Sequence, residues 1–139
     1  MSKTLGVLGG MGPAATLDFL AKLQAATPVS REQDHLRVLV DINPKVPDRN
    51  NSYDEAGPVL AQMAVGLREA GAQVLAIACN TAHAYADQVK ASGLPLVDLI
   101  ETAGLAAKAI GAERVGVLGT GGAQGLFGYQ SEIEGALTA

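Results

Sequence analysis

The chain alternates short apolar runs with longer stretches of helical periodicity. The apolar runs, which predict five β-strands, cover Thr4–Gly9, Leu36–Ile42, Gln73–Ala78, Leu96–Leu99 and Arg114–Leu118. The helical stretches between them cover Pro13–Ala26, Asp54–Ala70, Ala82–Ala91 and Glu101–Ile110. Strands that alternate with helices in this way form a parallel sheet through right-handed crossovers. We therefore predict an α/β fold, an open parallel sheet of the Rossmann-like or flavodoxin-like type with helices on both faces.

Proline and glycine support the helix boundaries in this pattern. Pro13 suits the first turn of the first helix, where a backbone N–H has no helical partner. Gly71, Gly93 and Gly111 each follow a helical stretch, where a residue in the left-handed conformation commonly ends a helix. These three glycines are therefore expected to be helix stops.

A short internal repeat divides the chain. Gly6–Gly12 (GVLGGMG) recurs as Gly116–Gly122 (GVLGTGG), 110 residues later. Glycine-rich turns after apolar strands also recur by chance within ordinary α/β domains. Seven similar residues are too few to exclude this alternative to a true repeat. Taken as a repeat, the pattern predicts a first α/β lobe over residues 1–113. Residues 114–139 are then the opening strand and turn of a truncated second lobe.

Composition and charge favour small-molecule chemistry. The chain has 139 residues and 48% hydrophobic content, enough for one domain with a real core. Its formal net charge of -4, with no cluster of Lys or Arg, favours neither nucleic acid nor a membrane surface as partner. No run approaches the ~20 apolar residues of a membrane span, and no signal-peptide stretch opens the sequence, so the expected location is the cytoplasm. One cysteine and two scattered histidines predict no disulfide and no metal site.

Cys79, the only cysteine, directly follows the apolar run Gln73–Ala78. The carboxyl ends of parallel strands face the ligand crevice, so the thiol is expected there, with the Thr81 hydroxyl capping the helix that begins at this point. A helix N-terminus favours thiolate over thiol. Free cysteine is also among the most buried residue types, which leaves core filler as an equal alternative. His83 could tune the thiol or simply cap and pack, and the sequence favours the second.

Two further polar or glycine-rich segments follow strands at the same predicted edge of the sheet. The turn Gly9–Pro13 could form a backbone nest for a carboxylate or phosphate, although proline removes one donor and the glycines could serve tight packing alone. The loop Asn43–Tyr53 carries Arg49, whose guanidinium matches a substrate carboxylate. The alternative for Arg49 is a solvated side chain paired with Asp48. Convergence of three such segments at one edge raises the expectation that each is functional.

In combination, these segments resemble a known family, the PLP-independent aspartate/glutamate racemases, whose wider superfamily includes glutamate and hydantoin racemases. The resemblance spans Thr4–Thr120 and rests on four motifs in order. They are GGMGPAAT at Gly9–Thr16, the loop ending in Pro47–Arg49, ACNTAH at Ala78–His83, and GVLGT at Gly116–Thr120. The resemblance implies two similar α/β lobes with the active site between them, and no cofactor.

The resemblance also implies residue roles. Cys79 would be the acid/base that removes the α-proton, and a second cysteine on the other lobe would return a proton to the opposite face. Asn80 and Thr81 would bind the substrate α-carboxylate, and Thr120 would add a contact to it. Arg49 would hold the side-chain carboxylate of aspartate or glutamate, and Met11 would line the pocket.

The chain departs from the family in length and cysteine count. Full-length members continue for roughly another lobe and carry a second cysteine that this sequence lacks. We therefore expect poor racemisation by this chain alone, and a homodimer, because a lobe without its twin exposes apolar surface. The alternative function is a non-catalytic carboxylate- or nucleotide-binding domain.

Overall fold

A computed structural model describes residues 2–121, with Tyr53 described by its backbone only. The strands of this part of the chain are β1 (Leu5–Gly9), β2 (Val38–Ile42), β3 (Val74–Ile77) and β4 (Leu96–Val97). They form a sheet in the order β2-β1-β3-β4, and every adjacent pair is parallel. The predicted α/β fold with a parallel sheet is confirmed.

The helices connect these strands as the sequence pattern predicts. They are α1 (Pro13–Ala25), α2 (Tyr53–Glu69), α3 (Ala86–Lys90) and α4 (Leu99–Ala109), with short 3₁₀ segments at Glu32–Asp34 and Thr81–Tyr85. Pro13 is the first residue of α1, and Gly71, Gly93 and Gly111 have φ angles of 107°, 89° and 72°. The predicted start of α1 and the three glycine stops are therefore confirmed. No helix in the described part of the chain is both long and apolar enough to cross a bilayer.

Helices cover both faces of the sheet because apolar side chains point alternately to each side. Leu5 and Val7 of β1 pack with Ala76 and Ala78 against the α1 side chains Phe19, Leu20 and Leu23. Leu8 lies on the opposite face in a cluster with Leu75 and Ile77, covered by α2 and α3 through Leu60, Met63, Ala64, Leu67 and Val89. Two buried layers hold the central strands, so the loops that follow β1 and β3 start from fixed positions.

The predicted fifth strand, Arg114–Leu118, is wrong. Residues 114–118 form neither strand nor helix, and the Leu118 side chain is 99% exposed. A strand needs a neighbouring edge along which to form a ladder, and β4 contributes an edge of only two residues. An apolar run of strand-like composition therefore stays outside the described sheet.

Two helix boundaries also differ from the sequence prediction. The helix predicted from Ala82 begins as a 3₁₀ segment, because the His83 N–H bonds to the Asn80 carbonyl at 3.1 Å while the His83 ring occupies the Cys79 carbonyl. Helix α4 begins at Leu99 rather than Glu101, because the Asp98 carboxylate accepts hydrogen bonds from the Ile100 and Glu101 N–H groups at 2.8 and 3.1 Å. Side-chain hydrogen bonds decide both boundaries.

Candidate functional site

A cleft of about 530 Å³ lies at the carboxyl ends of the central strands. Strand β1 pairs with β2 on one side and with β3 on the other. The chain thus leaves β1 in one direction and returns on its other side, and the loops that follow β1 and β3 diverge there. Crevices of this kind are the usual ligand sites of open parallel sheets.

The cleft gathers most of the residues that the sequence singled out. Met11, Cys79, Asn80, Thr81 and Thr120 all line it. Its remaining walls are small or apolar: Ala15 of α1, Ala103 and Ala107 of α4, and residues 115–119. The result is a mostly apolar cavity with one thiol, one amide and two hydroxyl groups.

The position of Cys79 favours a functional thiol over core filler. The residue lies two positions beyond β3, where the Ala78 N–H still bonds to the Leu8 carbonyl at 2.9 Å and extends the sheet. Its side chain packs against the core on one side, is only half-buried, and lines the cleft on the other. The thiol is free and open to a ligand. A proton-transfer group needs this combination of fixed backbone and accessible side chain.

Thr16 fixes the loop that carries Met11. The fully buried Thr16 hydroxyl accepts a hydrogen bond from the Gly10 N–H at 2.8 Å and donates one to the Gly12 carbonyl at 3.2 Å. The Gly10 N–H is therefore already used, and Pro13 has no N–H to offer. These contacts count against the predicted backbone nest for a carboxylate or phosphate in this turn and leave Met11 as an apolar wall of the cleft.

The two threonines of the cleft contact each other. The Thr81 and Thr120 hydroxyl oxygens are 2.8 Å apart and share a hydrogen bond. The prediction that Thr81 caps the following helix is wrong, since its hydroxyl pairs with Thr120 and Asn80 occupies the cap position without a side-chain bond. This contact joins the segment after α4 to the Cys79 turn.

Arg49 lies apart from the cleft lining. It follows β2, the edge strand, so β1 separates its loop from the Cys79 turn. Its Nη1 donates to the Pro47 carbonyl at 3.3 Å, and its Nε is buried and has no hydrogen-bond partner among the described residues. The alternative pairing with Asp48 is wrong: the Asp48 carboxylate accepts from the Asn50 N–H at 2.8 Å and from the Asn51 side-chain amide at 2.6 Å. These bonds, the Asn50 backbone contact first, lower the pKa of Asp48.

Some site residues escape the sequence interpretation. Ala103 and Ala107 line the cleft from α4, and their spacing of four on one helix face is a signal that could have identified them. Thr16 and His83 are buried and hydrogen-bonded to the site loops. Both end motifs that the sequence singles out, but the sequence assigns Thr16 no role and favours capping and packing for His83. In residues 2–121, no three His, Cys, Asp or Glu side chains converge as a metal site would require.

Comparison with known proteins agrees with this architecture. A family model described as Asp/Glu/Hydantoin racemase matches residues 8–135. The chain belongs to the Asp/Glu/hydantoin racemase family. The match extends from β1 through the Cys79 turn and beyond the Thr81–Thr120 contact, so it covers every residue that lines the cleft.

One protein is similar to the chain in sequence, and solved structures are similar to it in fold. The broad specificity amino-acid racemase RacX of Bacillus subtilis (strain 168) is 31% identical over 104 residues, which are 70% of this chain and 46% of RacX. Picrophilus torridus aspartate racemase superimposes with a TM-score of 0.84 at 26% identity, covering 98% of this chain and 60% of its own. An aspartate racemase homologue from Pyrococcus horikoshii OT3 shares the fold, with a TM-score of 0.70, 23% identity, and coverage of 79% and 50%. The chain spans about half the length of these relatives.

Proposed function

We propose that the chain carries one half of a PLP-independent amino-acid racemase site, with Cys79 as the acid/base for a substrate of the aspartate/glutamate class. The observation that carries this proposal is the half-buried, free thiol of Cys79 at the switch point of a racemase-family fold. The names of its relatives, an aspartate racemase and a broad specificity amino-acid racemase, support an amino acid as substrate.

The proposed reaction begins with proton transfer to sulfur. The Cys79 thiolate takes the α-proton and becomes a thiol, and the electron pair of the broken C–H bond delocalises into the substrate carboxylate. Without a cofactor as electron sink, this intermediate needs donors aimed at the carboxylate oxygens. Asn80, Thr81 and Thr120 line the same cleft as the thiol and supply an amide and two hydroxyl groups. Met11 forms an apolar wall beside them, which limits water around the developing charge.

We propose that Arg49 binds the side-chain carboxylate of the substrate. Its Nε is buried and unpaired within the described chain, and burial of an unpaired charged donor costs free energy that a carboxylate would recover. Because Arg49 does not line the cleft, this role requires the loop of residues 44–51 to close toward Cys79 when substrate binds. The second carboxylate would then distinguish aspartate or glutamate from neutral amino acids.

Inversion requires a second acid on the opposite face of the planar intermediate. Cys79 is the only cysteine among these 139 residues, so a second cysteine for this step would have to lie outside them. We expect the chain by itself to exchange the α-proton faster than it inverts the α-carbon. Half of a two-base site performs this one-sided reaction.

The test is incubation of the purified chain with L-aspartate in D₂O. Proton NMR follows loss of the α-proton signal and chiral chromatography follows appearance of D-aspartate. Cys79→Ser should abolish exchange, since a serine hydroxyl is far too weakly acidic to replace the thiol. Thr102→Val, on the exposed surface of α4, is the matched control and should keep the wild-type rate.

Three outcomes of this test decide between functions. Exchange that Cys79→Ser removes supports the proposal. Rapid racemisation without any partner contradicts the one-sided site. Aspartate binding by calorimetry with no exchange favours instead a non-catalytic carboxylate-binding domain.

We also propose a homodimer. The side chains of Leu105 in α4 and of Ile110, which directly follows the helix, are 60% and 83% exposed, and that of Leu118 is 99% exposed. Exposed apolar side chains favour self-association. Sedimentation velocity should show a dimer that Leu105→Lys dissociates, and a monomer at high concentration would contradict this.

A further inference from the structure

His83 occupies a position that the sequence treats as ordinary packing. The side chain is 5% exposed and lies in the 3₁₀ segment Thr81–Tyr85, four residues beyond Cys79. Both ring nitrogens are engaged with backbone groups. Nδ1 is 2.8 Å from the Cys79 carbonyl oxygen and 3.2 Å from that of Asn80, and Nε2 is 3.2 Å from the Leu99 nitrogen.

The Leu99 contact determines where the ring proton is. A backbone N–H can only donate, so Nε2 of His83 has to accept from Leu99 and carries no hydrogen. The ring proton of the neutral imidazole then lies on Nδ1, which donates to the two carbonyl oxygens. A doubly protonated ring would have no acceptor for Leu99. The contacts are therefore mutually consistent in the neutral Nδ1–H tautomer alone.

The two ends of the ring contact two elements that both line the cleft. On the Nδ1 side is the backbone of Cys79, whose side chain lines the cavity. On the Nε2 side is the first N–H of α4, and Ala103 and Ala107 of this helix also line it. One buried side chain thus joins the turn that carries the thiol to a helix that forms part of the same cavity.

We propose that His83 is a positioning residue for Cys79: its Nδ1–H tautomer joins the Cys79 turn to the start of α4 and sets the thiol's place in the cleft. The ring does not line the cleft itself, so it acts through the Cys79 backbone. The consequence for catalysis rests on the proposed function of Cys79, whereas the tautomer and the bridge do not. Proton transfer is sensitive to small displacements, since a shift of about 1 Å can cost about 100-fold in rate.

Two amide variants separate the two ends of the bridge. The Asn side chain in His83→Asn places an N–H where Nδ1 was and keeps the bond to the Cys79 carbonyl. The Gln side chain in His83→Gln reaches to the Nε2 position and keeps an acceptor for Leu99. We expect both variants to lose exchange rate, because each cuts the bridge at one end. His83→Gln should lose about 10- to 100-fold in kcat with little change in KM, and His83→Asn, which still bonds the Cys79 carbonyl, should lose less.

Three measurements make the test decisive. Nitrogen-15 NMR of the wild-type ring should show a protonated Nδ1 and an unprotonated Nε2, and the opposite tautomer would overturn the proposal. Thermal unfolding of both variants tests for a purely structural role. In that case the exchange rates would simply follow the Tm values. A kcat difference between Asn and Gln variants of equal Tm supports positioning instead. Equal kcat values in wild type and His83→Gln would overturn it.

The design also distinguishes failure of the proposed function. If the wild-type chain exchanges no α-proton, iodoacetamide alkylation of Cys79 replaces the kinetic assay. An alkylation rate that differs from wild type more in His83→Gln than in His83→Asn supports positioning of the thiol without any racemase activity. Identical alkylation rates in all three proteins contradict it.

Discussion

The turns after β1 and β3 and the loop after β2 all follow the carboxyl ends of parallel strands, but different hydrogen bonds hold them in place. The turns after β1 and β3 are held by hydrogen bonds from other elements: Thr16 of α1 holds Gly10, and the Leu99 N–H of α4 holds the His83 ring. The loop after β2 starts with a bond from the Asn43 N–H to the Gly9 carbonyl and buries Val46, but around Arg49 its side-chain bonds are local, through Asp48 with Asn50 and Asn51. We call the turns after β1 and β3 the fixed side of the sheet edge. Cys79 lies on the fixed side, and Arg49 lies in the loop after β2.

This difference matches the roles proposed for the two residues. An acid/base group works only at a fixed distance from its substrate, and the surrounding elements supply that fixity for Cys79. A clamp for a substrate carboxylate can arrive with the substrate. The Arg49 loop keeps its internal shape through local bonds and is tied to the 3₁₀ segment by a weaker contact, the 3.4 Å bond from the Tyr85 hydroxyl to the Arg49 carbonyl.

The largest effect is expected from Gly10→Ala, in the turn between β1 and α1. Gly10 has a φ angle of 95°, and an added Cβ would lie 2.4 Å from the Asn43 backbone nitrogen. Strain and steric conflict with backbone together should lower the free energy of unfolding by about 3 kcal/mol. Urea denaturation measures this. Gly66→Ala in α2 is the control: nothing lies within 4 Å of its Cβ, so it should stabilise the chain by about 0.5–1 kcal/mol. A mild effect at Gly10 would contradict the tight packing of this turn.

Thr16→Val tests the same side with a smaller change. Valine keeps the shape and removes the hydroxyl, so the buried Gly10 N–H loses its partner, while the Gly12 carbonyl still accepts from the Thr16 backbone N–H. One unsatisfied buried backbone N–H should cost about 2 kcal/mol in unfolding free energy. Thr102→Val removes a similar hydroxyl bond, to the Asp98 carbonyl at 2.7 Å, on the exposed side of α4, and should change stability by less than about 0.5 kcal/mol. Equal losses in the two variants would mean that the Thr16 hydroxyl does not organise the turn.

A double-mutant cycle on Thr81 and Thr120 measures how firmly the segment after α4 joins the fixed side. Their hydroxyl bond of 2.8 Å should appear as a coupling of about 1 kcal/mol between Thr81→Val and Thr120→Val. The pair Thr81→Val with Thr102→Val should be additive, because no hydrogen bond joins these two side chains. A coupling near zero for the first pair would show that residues 114–120 do not cover the cleft in solution.

Sequence patterns could predict the strands and the placement of Cys79, since apolar runs and glycine stops are local signals. Met11 and Cys79 each follow a buried strand, and parallel strands end at one edge. The lateral order of the strands is not local. Nothing near Arg49 reveals that β2 lies at the sheet edge with β1 between it and β3, or that Arg49 lies outside the cleft lining that Met11 and Cys79 share.

The other errors have the same origin. Arg114–Leu118 has strand composition, but a strand also requires a neighbour, and β4 is only two residues long. Thr81 is a good capping residue by type, yet a hydroxyl distant in sequence, that of Thr120, takes its hydrogen bond. The role of His83 depends on the Leu99 N–H, sixteen residues away. Local chemistry predicts what a side chain can do, and tertiary contacts select which of these it does.

The smallest effect is expected from acid titration of Asp48 in the loop that carries Arg49. Hydrogen bonds from Asn50 and Asn51 favour the charged form of Asp48 and lower its pKa in the folded chain. The carboxylate's contribution to loop order is therefore complete above the ordinary aspartate pKa of about 3.9, and it is lost as pH falls through the lowered value. The Asn50 amide NMR signal should shift in this acid range in wild type and stay flat in Asp48→Asn. The Cys79 and Leu99 amides should not follow this titration, because bonds on their side of β1 do not involve Asp48; a common transition would mean that the two sides form one unit.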